Sequence, residues 1–273
     1  MNHSGLGSRQ DLRFYRLTAS ALGCMGTAIV FVYRPWTPET VVTKLGGYLV
    51  CLYGGFILGI WAQKNAHLTM GPSIGQMVVA SLSFQGAALV FIPHFLREQQ
   101  LTSREAFGFA NNCRRAVFLG IIMACLFIPL GVVVQWVSAY IMVHIPHLQL
   151  EPHEQESVQT LQMAVTWVHR VVLGIVTIFL APVAEELLFR GILYTAIKRA
   201  GFPRLALWGT AILFAAIHQN LLTFIPLLLL AIALTVLYEY ADNLLAPICA
   251  HAMFNGINFL MLYWMPSLLR QIQ

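Results

Sequence analysis

Charge is what this chain has least of. Asp, Glu, Lys and Arg together make up 10% of 273 residues, where an ordinary soluble domain carries roughly 25% to hydrate its surface. So few charges cannot cover a globule of this size, which excludes a soluble domain. Cysteine pairs are also missing. Cys24, Cys51, Cys125 and Cys249 lie within apolar runs and Cys113 in a basic loop, with no C-x-x-C among them. A disulfide framework and a cysteine-ligated metal are thereby excluded. No small-residue cleavage site follows the first apolar run, so that run is expected to stay as a signal anchor. The C-terminal Arg-Gln-Ile-Gln carries no lipidation motif. No internal repeat is visible, which argues against a transporter built from two related halves.

What the chain has instead is apolar length. Hydrophobic residues make up 58% of it, and its mean hydropathy is +0.72. A helix needs about 20 mostly apolar residues to cross the hydrocarbon core. Stretches of that kind fall near 17–33, 45–62, 73–96, 116–141, 164–181, 205–218, 222–240 and 245–264. The solid runs lack the short alternation of barrel strands. The expected fold is therefore all-α, a polytopic transmembrane helical bundle of about eight spans, placed in a bacterial cell (inner) membrane and in contact with its lipids.

The net charge of +5 does not point to nucleic acid, because the basic residues sit in loops between spans. Arg97, Arg104, Arg114 and Arg115 form one such cluster, and Lys198, Arg199 and Arg204 another; both mark a cytoplasmic face. The 142–163 loop carries Glu151, Glu154 and Glu156 and no Lys or Arg, so it should face outward. Arg9, Arg13 and Arg16 do not fit the same alternation, which leaves the orientation of the first spans open. The 97–115 segment mixes polar and apolar residues and is expected to hold a short interfacial helix. Gly55-x-x-x-Gly59 is a helix-packing signal.

The chain divides loosely at the acidic loop, into 1–160, with spans nearly free of ionisable residues, and 161–273. The second part places Glu185, Glu186, Arg190, His218, Glu239, His251, Asn255 and Asn258 in or beside apolar runs. Pro182 lies inside the long apolar segment Ala164–Arg199, where its missing N–H predicts a break, with a second helix opening at Ala184-Glu185-Glu186. Carboxylates in a first turn would suit the helix dipole. Two Glu and one Arg facing lipid unpaired would cost about 8–10 kcal/mol. Glu186 and Arg190 share a helix face and can pair. Glu185, rotated by about 100° from Glu186, is left free for a polar cavity.

His251 and Asn255 share one face of the last span, and Asn258 extends the stripe. His218 ends its own span, one turn after Phe214. A carboxylate and two imidazoles around a wet cavity are what a hydrolase needs: Glu as general base on water, and His or His–Asn donating to a developing oxyanion.

Three motifs now stand in order: Glu185-Glu186-Leu187-Leu188-Phe189-Arg190 as E-E-x-x-x-R, Phe214 to His218 as F-x-x-x-H, and His251 to Asn255 as H-x-x-x-N, the last preceded by Ala246-Pro247-Ile248. Together they resemble the CAAX protease and bacteriocin-processing family of intramembrane proteases, the type II CAAX prenyl endopeptidases, over residues 164–260. The resemblance implies an intramembrane peptidase acting on a peptide or lipidated protein substrate. It implies that Glu185 and His218 hold and activate the water, that His251 and Asn255 stabilise the oxyanion, and that Glu186 and Arg190 support them by charge pairing. On cofactors it leaves two alternatives: zinc ligated by Glu185, His218 and His251 with an open position, or a metal-independent glutamate mechanism. The turn before the third motif reads Tyr240-Ala241-Asp242-Asn243 where the family carries small residues, so Asp242 and Glu239 are expected to alter the cavity entrance.

Plainer readings compete. Taken singly, His218 and His251 suit interhelical hydrogen bonds, and Asn258 and Glu239 suit structural roles. A non-proteolytic scaffold or bacteriocin-immunity protein could keep the same fold. His144, His147 and His153 cluster in the outer loop, but His153-Glu154 ends at Ser157 and excludes a zincin site. Gly71-Pro72-Ser73-Ile74-Gly75 has the G-x-S-x-G form but opens a span rather than a strand–turn–helix.

Overall fold

The computed structural model describes residues 36–65, 72–144, 158–159 and 166–264. Among these residues the fold is helical, without strands. The helices are α1 (Pro38–Asn65), α2 (Pro72–Glu98), the short α3 (Ser103–Phe107), α4 (Cys113–His144), α5 (Trp167–Arg199), α6 (Pro203–Ala216), α7 (Leu221–Ala241) and α8 (Leu245–Trp264). The expected first span at 17–33 and the acidic loop with Glu151, Glu154, Glu156, His147 and His153 lie outside the described residues.

Among the described residues five helices are long and apolar enough to cross a membrane: Pro38–Trp61, Cys113–His144, Trp167–Arg199, Leu221–Ala241 and Leu245–Leu262. The chain is a multi-pass membrane protein. These five do not establish the expected count of eight. α6 has 14 residues, about 21 Å of rise, and falls short of the hydrocarbon thickness. The short helix expected in 97–115 is α3. Thr102 caps it and Glu105 returns a bond to the Thr102 backbone, a reciprocal capping box.

The predicted break at Pro182 does not occur. α5 runs without interruption through Pro182, because Val176–Leu180 and again Leu187–Tyr194 adopt π-helical turns. The Ala181 N–H reaches back five residues to the Val176 carbonyl. This wider turn makes room for the proline ring, which in an α-turn would strike the carbonyl four residues before it. Glu185 and Glu186 are thus mid-helix rather than in a first turn, and the dipole argument for them falls away.

Short connections gather the ends of α2, α5 and α7 and the starts of α1, α4, α6 and α8 at one end of the bundle. Contacts fasten that end. Lys44 pairs with Glu98 at 2.7 Å, Lys198 with Glu239 at 2.6 Å, and the Trp36 indole donates to Thr195 at 2.9 Å. The basic clusters 97–115 and 198–204 share this end, as the charge alternation requires. One buried cluster joins Trp36, Tyr48, Phe91, Phe95 and Phe107 to Ala184, Ile192, Tyr238 and Leu244. A second packs Phe127, Phe189, Phe214, Leu230 and Leu234 with Ala246 and Ala250. The Gly55/Gly59 face does pack closely: a Cβ on Gly59 would lie 3.2 Å or less from three Val79 side-chain atoms.

The α7–α8 turn is locked to the α3–α4 junction. Asp242 is left-handed at φ 44° and its carbonyl and carboxylate both accept from the Asn111 amide at 3.1 Å, while Leu244 N–H donates to Phe107 O at 2.9 Å. Gly108, at φ 76°, sits against this turn: a Cβ there would collide with the Asp242 carbonyl oxygen. Gly201 has φ 92° but open space around it. Gly108→Ala should therefore cost both left-handed strain and a backbone clash, well over ~2 kcal/mol, and Gly201→Ala only the strain, about 1 kcal/mol. Denaturation of the two purified variants checks this; equal losses would contradict the interlocked turn.

Candidate active site

Two neighbouring carboxylates on α5 meet α6, α7 and α8 deep in the bundle. The π-turns on either side of Ala181–Glu186 set the rotation of this segment. Glu186 is fully buried and Arg190 nearly so. Their ion pair, one helical turn apart, closes at 2.6 Å, as the four-residue spacing predicts. Arg190 has further partners. Its Nη2 donates to Ala231 O of α7 at 3.1 Å, and its Nε points to Thr235 Oγ1 at 3.5 Å. Its guanidinium carbon lies 4.7 Å above the Phe214 ring, a cation–π contact from α6. Glu186 Oε1 also accepts from His251 Nδ1 of α8 at 2.8 Å. A carboxylate acceptor here pairs with the Nδ1–H tautomer of His251, whose Nε2 points away from Glu186.

Glu185 lies on the other side of that imidazole. Its Oε2 is 3.8 Å from His251 Nε2, too long for a hydrogen bond, and has no other partner although it is buried. Glu185, rotated by about 100° from Glu186, was expected to be left free of that residue's partner; the two ring nitrogens of His251 face opposite ways, with Glu186 bonded at Nδ1 and Glu185 without a bond near Nε2.

His218 follows α6 and points its Nδ1 at Phe214 O at 2.7 Å, leaving Nε2 for another partner. Phe214 stands between the two histidines, with its centroid 5.0 Å from His218 and 5.8 Å from His251. No hydrogen bond or ion pair joins His218 to Glu185 or His251 among the described residues. Asn255 is on α8, one turn from His251. Its amide donates to the Thr177 carbonyl of α5 at 2.9 Å. The structure thus brings Glu185, Glu186, Arg190 and His251 together, holds His218 beside them across Phe214, and turns Asn255 toward the α5 backbone.

The zinc alternative can be tested on this donor set. Among the described residues no group of three or more His, Cys, Asp or Glu side chains could hold a metal ion. The Phe214 ring lies against both imidazoles, its centroid 5.0 Å from His218 and 5.8 Å from His251, and among the described residues no bond joins His218 to either of the other two. The expected three-ligand site does not fit this arrangement. Glu239 and Asp242, expected to alter the cavity entrance, pair with Lys198 and with Asn111.

Sequence reasoning missed several contributors. Thr235 and the Ala231 carbonyl complete the coordination of Arg190, and a single Thr in an apolar run gave little signal. The first part of the chain also reaches the site. The buried Tyr48 phenol is within electrostatic range of Glu185; elsewhere, on α2, the buried Gln85 has an unpartnered Oε1. Gln85 was discoverable as a polar residue in a span that lipid would reject.

Residues 166–257 match the family model described as type II CAAX prenyl endopeptidase Rce1-like. All three motifs lie inside that segment. The resemblance to this family of endopeptidases is shown. The match covers about a third of the chain. The uncharacterized protein YpbD of Bacillus subtilis (strain 168) is 35% identical over 78 residues, 27% of this chain and 37% of that protein. The chain thus covers well under two thirds of that relative's length. No solved structure matches.

Removing one partner of the buried pair in this Rce1-like segment leaves the other as an uncompensated charge. Arg190→Met should destabilise the protein by about 3–5 kcal/mol, and Glu186→Gln/Arg190→Met together by clearly less. Unfolding in detergent with increasing denaturant measures both. An additive double variant would refute the coupling.

Proposed function

We propose that this protein is an intramembrane endopeptidase in which a glutamate-activated water hydrolyses a peptide bond of a membrane-associated or lipidated protein. The reading rests on the Rce1-like segment and, above all, on one feature of the geometry: Glu185 presents a buried, unpartnered carboxylate oxygen beside His251 Nε2. A buried orphan acceptor is costly, and a water or a substrate N–H is what would satisfy it. The catalytic core is 161–273, with the preceding helices supporting it, and the bacterial relative favours a bacterial cell membrane.

The chemistry follows from the assigned bonds. A water between Glu185 and His251 Nε2 gives a proton to the Glu185 carboxylate as its oxygen attacks the scissile carbonyl carbon. His218, with Nδ1 held by Phe214 O, orients that water through its free Nε2. The carbonyl oxygen becomes an oxyanion. It accepts from His251 Nε2–H, while Glu186 holds the ring through Nδ1. Collapse breaks the C–N bond, and the proton held by Glu185 passes to the leaving amine. Glu186 and Arg190 are positioning residues, since they act on the substrate only through His251. Burial strengthens each of these interactions by lowering the local dielectric.

The test is cleavage of a prenylated or otherwise membrane-anchored peptide by purified protein in nanodiscs. Glu185→Gln and His218→Ala should each lower kcat by about 10²–10⁴ while the helical circular dichroism and elution volume stay at wild-type values. Wild-type cleavage by either variant would remove that residue from the mechanism, and no cleavage by the wild type itself would return the chain to a non-catalytic reading. Chelator treatment should leave the rate unchanged.

A further inference from the structure

Pro182 has no N–H, so one α5 carbonyl must lose its backbone partner, and the π-turn identifies which. Ala181 N–H is spent on Val176 O. The next carbonyl, Thr177 O, would accept from residue 181 in α-register or from residue 182 in π-register. The first donor is taken and the second is the proline nitrogen. Thr177 O is therefore orphaned by the same turn that accommodates Pro182, inside a membrane helix where such a group finds no bulk water. It is not left unsatisfied, because Asn255 Nδ2 lies 2.9 Å away.

We infer that Asn255 is a positioning residue whose amide replaces the backbone donor absent at Pro182, clamping α8 to the π-turn of α5 and so setting His251 against Glu186. Contacts on either side show close approach along this seam. A Cβ on Gly174 would meet the Phe259 ring at 3.2 Å, and one on Gly256 would meet Ile178 at 3.5 Å. Asn255 and His251 are one turn apart on α8, so the clamp and the His251–Glu186 bond are two ties on the same pair of helices. This role differs from the oxyanion contact that the family resemblance implies for Asn255. It does not depend on proteolysis.

The double-variant cycle Asn255→Leu, Pro182→Ala and both together separates the two roles, because an alanine in place of the proline restores a backbone N–H. In full-length protein, Asn255→Leu should lower the unfolding temperature by about 3–8 °C, and Pro182→Ala alone should fold as wild type. In the Pro182→Ala background the loss from Asn255→Leu should shrink to less than half. The His251 ring signals in ¹⁵N-histidine NMR should shift in Asn255→Leu and return in the double variant. Undiminished loss in the Pro182→Ala background, an unchanged His251 signal in Asn255→Leu, or failure of Pro182→Ala to fold would each overturn the inference. Should Asn255→Leu alone not fold, recovery of folded protein in the double variant supports the clamp and continued failure overturns it. If wild type cleaves peptide, a kcat loss in Asn255→Leu that Pro182→Ala does not reduce would return Asn255 to the oxyanion. An inactive wild type with the stability cycle intact would count against the protease reading alone.

Discussion

The buried pairing of Glu186 with Arg190 and His251 is the constraint from which the rest of the bundle is organised. Desolvating these groups costs several kcal/mol each, and the hydrocarbon around the bundle offers nothing to compensate. The compensation has to come from other helices. Arg190 takes a carbonyl from α7 and a ring face from α6, and Glu186 takes the imidazole from α8. Four helices are therefore joined at one point by bonds that cannot be traded for solvent. Apolar packing alone would hold them less specifically, since in lipid side chains gain little by leaving one hydrocarbon surface for another.

That organisation also explains why one carboxylate is held through its Oε1 and its neighbour is not. Glu186 has two cationic or donor partners and lies at the centre of the cluster. Glu185, adjacent in sequence, finds only the far nitrogen of the same imidazole at 3.8 Å. Two chemically identical groups are thereby given different work by their surroundings. Phe214 contributes to the same division: its ring lies beneath Arg190 and also spaces His218 from His251. The aromatic residue of the F-x-x-x-H motif is thus part of the site's geometry.

The π-turns of α5 are the backbone counterpart of this arrangement. They let a proline stay inside a continuous helix and rotate the two carboxylates toward α8, at the expense of backbone groups that other helices must satisfy. Bulges of this kind occur often at functional sites. The first part of the chain closes the site from the other side, with α2 packed on the Ala181–Glu186 segment and Tyr48 within electrostatic range of Glu185.

Much of this protein could be read along the chain. Hydrophobic length placed the helices, since a backbone in hydrocarbon must satisfy itself within the segment. The four-residue spacing paired Glu186 with Arg190, and the three motifs located the polar site. What spacing could not convey were contacts between residues distant in sequence and backbone deviations set by packing. The continuity of α5 through Pro182 was hidden because a π-turn depends on neighbours that accept its unsatisfied groups. The bond from His251 to Glu186, the open oxygen of Glu185 beside it, the bond from Asn255 to Thr177 and the poor fit of a three-ligand metal all depended on helix rotation. The sequence by itself determined which side chains lipid would reject; only tertiary structure decided which partners would satisfy them, because those partners lie on other helices.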